Sequence, residues 1–409
     1  MTINYNGTDN WKKDIRLKAV SDKVLGGLDQ PANVASQDLA DCTVYLKNQD
    51  FRDMKEQMEI ASGGNATIRR DSYGVIDYFY KINKFQPVYY ASIGFTYCGN
   101  YTGIWSPTRL YHPAFYVNGT LKDYLLMSIF PAVKKTISST DLWVPQSSPT
   151  FTGTPSVATA RTMATAKGTG YHLMNLYEHG AVSLISLRFK ANLKGNDYVG
   201  AHYATASTVN NGGYAPNIDY LTGYSYGCPS DWRHNNEPWG IVDLVGNKYE
   251  FLDGIYINNG QIYTYSTRDN YYTETEASWT ATGLYYSKPG SNLEINTTSS
   301  TSGTYSLDYN SLPLVTTTGA NTLTDSTWIS DLMLCRQNNQ PGHIVSVPAM
   351  AGVEGHLQID TTKPKAYFGI GGDRTGAGLS KKIGLGAKGA IVDPIYSPYF
   401  WTPRICLFE

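Results

Sequence analysis

The sequence predicts an α+β, β-rich protein, and three observations carry that prediction. Charged residues make up only 16% of the chain, below the usual quarter or so, while Tyr (33) and Gly (39) are abundant; with many Ser, Thr and Asn, this composition favours strands, turns and loops. Apolar residues fall in short runs broken by Gly and Pro, as at Val75 to Tyr80, Val88 to Phe95 and Phe115 to Val117, which is strand texture. Only a few stretches carry a helical period. With 409 residues there is room for two or three domains of about 100–200 residues each.

Taken in order, the first 30 or so residues read as an extended arm with turn signals at Asn6-Gly7 and Gly26-Gly27. From Ser36 to about Ile60 no Gly or Pro intervenes. Leu39, Leu46 and Ile60 form one seven-residue series, broken by Asp53, and Val44, Phe51 and Met58 form another, with Ser36 or Asp38 as cap. Such a seam suits a short oligomerising coiled coil or one amphipathic helix on a domain surface. Ser62-Gly63-Gly64-Asn65 ends it. The stretch from Ser138 to Thr169 reads mostly as loop, with a short helix within Ala158 to Ala166. A strong helix is expected from Tyr171 through His179 and on from Ala181 to Phe189, with Leu173, Leu176, Val182, Ile185 and Phe189 near one face. Asn192 to Tyr226 reads as loop, Trp239 to Ile257 as compact and apolar, and Ser266 to Thr327 as a long polar insertion of little period. The last 80 or so residues return to short strands and glycine turns.

The formal net charge of −1 and the lack of a Lys/Arg stripe argue against nucleic acid and against an anionic membrane as partners. Cys42, Cys98, Cys228, Cys335 and Cys406 are odd in number and widely spaced, so buried free thiols are expected and no metal-spaced cluster is seen. The first residues lack an apolar signal core, and no apolar run reaches 18 residues. Neither export nor membrane insertion is expected from this sequence, and synthesis in the cytoplasm is.

Catalytic signals are weak. His112, His172, His179, His202, His234, His343 and His356 are scattered, and no zinc-protease or serine-hydrolase motif occurs. His172 and His179, seven apart, could share a helix face, although packed or capping histidines are commoner. Gly369, Gly371, Gly372, Gly376 and Gly378 lack the lysine of a phosphate loop and read as turn glycines. A glycosidase of the tail-spike kind is the main enzymatic alternative, because Asp and Glu are numerous and a carboxylate pair is recognised only by geometry, although the short repeats of its usual β-helix are not seen. No catalytic residue is assigned, and the chain is expected not to be an enzyme.

Several motifs in order resemble one fold. Gly168-Thr169-Gly170-Tyr171-His172-Leu173-Met174 is similar to a G-x-G-W/Y-H-L-M segment that leads into a helix. Trp239-Gly240-Ile241-Val242-Asp243-Leu244-Val245-Gly246-Asn247-Lys248-Tyr249-Glu250-Phe251-Leu252-Asp253-Gly254 is similar to a W-G-x-x-D-x-x-G-N-x-x-E-W-x-D-G core. Tyr367 to Asp373 and Arg404 to Phe408 match imperfectly a glycine-pair strand and a closing G-F-R strand, Ile370 and Asp373 standing where Arg and Ser are usual. Together they resemble the C-type-lectin-like fold of the formylglycine-generating sulfatase-modifying family and of the variable proteins of diversity-generating retroelements, among them phage tropism determinants. In the motif itself, Gly246-Asn247 is a turn signal, Ile241, Leu244, Val245, Tyr249, Phe251 and Leu252 suit a core, and Glu250 and Asp253 could accept backbone hydrogen bonds. The oxidase of that family needs a close cysteine pair near its C-terminus, whereas Cys335 and Cys406 lie far apart.

The N-terminal segments Ser21 to Gly27, Asn33-Val34 and Leu39 to Lys47 look like the opening of phage tail proteins. The resemblance then implies a virion-attachment arm and helix over 1–64, an intermediate β domain over 65–112, and a C-type-lectin-like receptor-binding domain over 113–409 carrying the polar insertion at about 266–327. It implies a homotrimer at the tail tip or fibre of a virion, joined to other phage tail proteins by its N-terminus and gripping a host cell-surface protein or glycan receptor. A tail or bacterial surface protein of the same fold, with no receptor of its own, is the alternative. The ligand face of the fold lies on its last strands, which points to Tyr367, Asp373, Arg374, Lys381, Lys382, Tyr396, Tyr399 and Trp401, aromatic planes mixed with charge. No cofactor and no metal is expected from catalytic motifs. Asn235, Asn236, Glu237 and Asp243 could supply oxygens to a structural Ca2+.

Overall fold

The structure is a computed structural model. It describes residues 2–4, 14–16, 47–86, 111–147, 155–188, 193, 195, 230–246, 249–266, 275–287, 294–296, 303–307, 314–315, 336–337, 357–362, 364–371, 384–390 and 401–409. Few helices and many, mostly antiparallel, strands make it an α+β, β-rich protein. The chain divides into two compact units, residues 1–68 and 69–409.

In the first unit, Thr2–Asn4 pairs antiparallel with Asp14–Arg16, and residues 47–61 form a helix (α1). The earlier part of the expected helix lies outside the described residues. Among the described members of the two heptad series, Met58 is buried and Phe51 half-buried, while Ile60 is 73% exposed. Ser62 and Gly64 donate their N–H groups to Met58 O and Glu59 O, and Gly63 and Gly64 adopt the positive φ that closes a helix.

The division between the units falls inside strand β1 (Ala66–Arg70). In the second unit, β2 (Ile76–Asn83) pairs antiparallel with β3 (Tyr124–Ser128). Residues 69–83, expected to belong to an intermediate domain, thus share a sheet with residues past 113. A hairpin of β4 (Ala132–Ile137) and β5 (Thr140–Pro145) precedes helix α2 (Val157–Thr165), which Ser156 caps by accepting from Thr159 N.

After α2 comes the main correction to the secondary structure. Tyr171–Leu173 is not helical: it is strand β6, and helix α3 (Leu176–Arg188) starts only after Asn175. The reason is a reciprocal cap. Asn175 Oδ1 accepts from the N–H groups of Tyr177 and Glu178, while Glu178 Oε2 accepts from Asn175 N at 2.9 Å. His172 and His179 therefore share no helix face. Residues 176–186 of α3 are buried on every side, which accounts for its lack of a polar stripe.

Beyond α3, β7 (Tyr249–Asn258) is central to a larger sheet, with β8 (Gln261–Thr264), β9 (Thr280–Ser287), β10 (Ala366–Gly371), β11 (Gly384–Ala390) and β12 (Trp401–Thr402). Its middle order is β11-β10-β7-β8-β9, with β12 parallel to β7. The expected polar insertion thus contributes strands: β9 pairs with β8, and Glu294–Asn296 continues from it. The final strand β13 (Ile405–Leu407) lies in the smaller sheet, of order β6-β13-β3-β2-β1.

One core lies under α2. Val157, Ala160, Met163 and Ala164 meet Phe79, Leu126, Tyr171, Leu173, Phe251, Tyr367, Ile405 and Leu407, each large side chain contributing about 1.5–3 kcal/mol of burial. Of the motif residues expected in the core, Ile241, Leu244, Val245, Phe251 and Leu252 are buried, while Tyr249 is only half-buried. Between β12 and β13 the chain crosses from the larger sheet to the smaller, and Arg404 sits at that crossing. Its guanidinium, fully buried, pairs with Glu250 on β7 and donates to Ser128 O, Ile129 O and Val242 O. Glu250 thus accepts from a side chain rather than from backbone. Burial pushes its carboxyl up, with Arg404 acting in the opposite direction.

Candidate ligand-binding face

Of the eight expected site residues, the structure describes the side chain of one. Tyr367 lies on β10, 5% exposed, its hydroxyl donating to Glu276 Oε1 at 2.8 Å and its ring 6.1 Å from Phe251. It belongs to the buried core that also holds the apolar residues of α2, rather than to an open face. Trp401 is placed on β12 by its backbone pairing with Tyr249. Asp373, Arg374, Lys381, Lys382, Tyr396 and Tyr399 lie outside the described residues, as does the side chain of Trp401.

What the sheet places beside Tyr367 is a row of aromatic rings. Tyr256 on β7 stands directly opposite Tyr263 on β8 and opposite Tyr367 on β10. Side chains directly opposite on neighbouring strands touch. The Tyr256 and Tyr263 rings stack at 4.9 Å and 10°, Tyr367 tilts against Tyr256 at 6.1 Å, and Trp279 lies 5.8 Å from Tyr256. Tyr256 and Tyr263 are half-buried, so the row runs from the core under α2 outward to solvent.

A break in the pairing makes this possible. The β7–β10 register shifts between Leu252 and Tyr256, and a bulge of this kind re-aims the side chains beyond it. Gly254 lies in the shifted segment with φ 84°, and a Cβ there would fall 2.4 Å from the Tyr265 ring. Only glycine fits.

Charged groups rim the row. Arg161 on α2 forks onto Asp253 (2.6 and 3.0 Å) and reaches Glu276 at 2.6 Å, its guanidinium 5.0 Å from the Trp279 ring centre. Lys365 pairs with Glu276 and lies 5.0 Å over Tyr256 and 5.6 Å over Tyr367. Burial would lower the Arg161 guanidinium, but Asp253 beside it outweighs this and holds it above its usual value. Burial raises the Tyr256 phenol, with Tyr263 adding to the effect. Among the described residues, two cations stand against two carboxylates around the row. Such a surface can stack on an apolar or planar ligand face and hydrogen-bond its edges.

Sequence reasoning reached only Tyr367 here and missed Tyr256, Tyr263, Trp279, Lys365, Glu276 and Arg161. Alternation in Gln261-Ile262-Tyr263-Thr264 signals that Tyr263 faces away from Ile262, but the partner strand is set by register. Among the residues that could supply oxygens to a structural Ca2+, Asn235 Oδ1 accepts from Glu237 N, and Asn236 and Asp243 hold positive φ. Two of the described histidines have structural duties: His112 Nδ1 accepts from Ala114 N and His234 Nδ1 from Ile241 N. No helix among the described residues is long and apolar enough to cross a membrane. Compared with known proteins, the chain matches no protein-family model and no curated protein.

Proposed function

We propose that this chain is a non-enzymatic recognition protein of a phage tail, with a C-type-lectin-like fold over its C-terminal part, which attaches the virion to a receptor on the host cell surface. The observation that carries the reading is the Tyr263–Tyr256–Tyr367 row, laid across three strands of a rigid sheet and rimmed by Arg161, Lys365, Asp253 and Glu276. Aromatic rings that expose part of their faces at low entropic cost are the usual anchors of binding surfaces. Three copies of such a face, on the trimer implied by resemblance, would turn modest single-site affinity into firm attachment through effective concentration. The N-terminal arm would dock to the particle.

The test is binding of purified full-length protein to intact bacteria, beside a Tyr256→Ala/Tyr263→Ala variant checked for native unfolding behaviour. Saturable binding that weakens at least about tenfold in the variant is expected, since losing an aromatic anchor costs about 2 kcal/mol or more. Equal binding by the two proteins would remove this face from the function.

A further inference from the structure

On the side of β6 and β13 turned away from the α2 core, three donor groups converge. His172 and Cys406 are direct partners across the β6–β13 pair. Because strand side chains alternate, Tyr171, Leu173, Ile405 and Leu407 enter the core under α2 while His172 and Cys406 share the opposite face. Glu178, in the first turn of α3, reaches the same point. The donor atoms of all three lie within 4.8 Å of one another, and Cys406 and Glu178 are fully buried.

Two of the three donors are held by a second contact. His172 Nδ1 lies 2.8 Å from Gly170 O, and the ring stacks on Phe408 at 5.0 Å and 9°. With Nδ1–H donated to that carbonyl, Nε2 is the nitrogen turned to the cluster, 2.6 Å from Glu178 Oε1. Glu178 Oε2 is anchored by Asn175 N. A ring N–H fixed on a backbone carbonyl and a carboxylate fixed by its second oxygen are the outer contacts that orient metal ligands.

We propose that His172, Glu178 and Cys406 form a buried three-donor site for a divalent cation of borderline softness, zinc in first place. One imidazole, one carboxylate and one thiolate are donor types zinc accepts. Charge balance allows it despite the burial. Without an ion, a protonated imidazole, a carboxylate and a thiol sum to zero; with the imidazole and thiol protons released, a dication, a carboxylate and a thiolate also sum to zero. The neighbouring charges, Arg404, Glu250 and Asp253, include the Arg404–Glu250 pair, which is matched within itself. Ligand distances of about 2.0–2.3 Å need Nε2 and Oε1 to part to a little over about 3 Å, a small shift that a pivot of the Glu178 carboxylate about its Oε2 contact with Asn175 N supplies.

Cobalt is the probe, because a cobalt–thiolate bond produces an intense near-ultraviolet charge-transfer band. Full-length protein, reduced and freed of metal by chelation, is titrated with Co2+ alone and then with Zn2+. One equivalent of Co2+ should bind with that band, and Zn2+ should bleach it. Cys406→Ser, folded by circular dichroism, should lose the band. His172→Gln should weaken Co2+ binding at least about tenfold, and this second variant decides the matter if Cys406→Ser does not fold. No bound ion in the native protein, a band surviving Cys406→Ser and so owed to another thiol, or unchanged affinity in His172→Gln would each overturn the site.

Discussion

Arg404 shows how much one residue can decide. Its guanidinium is buried against Glu250 and three backbone carbonyls, so removing it would leave a buried carboxylate and three acceptors without their donor. Arg404→Met should cost about 3–5 kcal/mol, measured by urea unfolding, and Glu250→Gln in the same chain should recover part of the loss. Additive losses would mean that the two side chains do not depend on each other. Both residues stand in motifs visible in the sequence, but the sequence carries no sign that the two motifs meet. They are distant along the chain and meet only because β12 runs parallel to β7.

At the scale of elements, glycine geometry separates two kinds of turn. Gly170 precedes β6 with φ 84°, and a Cβ there would fall 2.1 Å from Phe408 O, beyond the end of β13. Gly119 also has positive φ, 75°, but nothing lies within 4 Å of its Cβ position. Gly170→Ala should therefore destabilise by about 2 kcal/mol or more and Gly119→Ala by about 1 kcal/mol, read as shifts in thermal midpoint. Equal shifts would show that backbone strain alone, and not the contact with β13, sets the cost. Helix α2 was legible because the run of small residues within Ala158 to Ala166 is a local signal, whereas its cap, Ser156, was found only in the structure. The strand at Tyr171–Leu173 was not: its residues have a helical period, and the cap that delays α3 shows only as an Asn-x-x-Glu spacing at Asn175 and Glu178.

For the whole molecule, buried charge shapes the response to pH. Burial raises the Asp77 carboxyl from 3.8 to about 6 against the pull of Lys167, whose Nζ is 3.1 Å away and which also pairs with Asp71 at 2.6 Å. A carboxyl raised in the folded state binds more protons there than in the unfolded chain, so stability falls as pH rises from about 4 to about 6. His234 works the other way over the same window. Burial, with Arg404 and Arg233, lowers it from 6.5 to about 3, so the unfolded chain takes up the proton first and stability falls as pH drops. The two slopes oppose each other. Asp77→Asn should expose the histidine's slope, its stability relative to the parent rising by up to about 1.4 kcal/mol per pH unit between pH 4 and 6 in urea unfolding. A difference that does not change with pH would place Asp77 in its ionised form throughout.

By itself the sequence determined the β-rich class, the α2 helix and the buried residues of the Trp239 to Gly254 motif, because composition, runs of small residues and short-range alternation are written within a few residues of one another. Only the tertiary structure decided that Tyr256 would stand between Tyr263 and Tyr367, that the polar stretch after Ser266 would extend the sheet, and that His172, Glu178 and Cys406 would meet. Each of these depends on which strands pair and in what register, and a shift of one residue would turn every side chain to the opposite face.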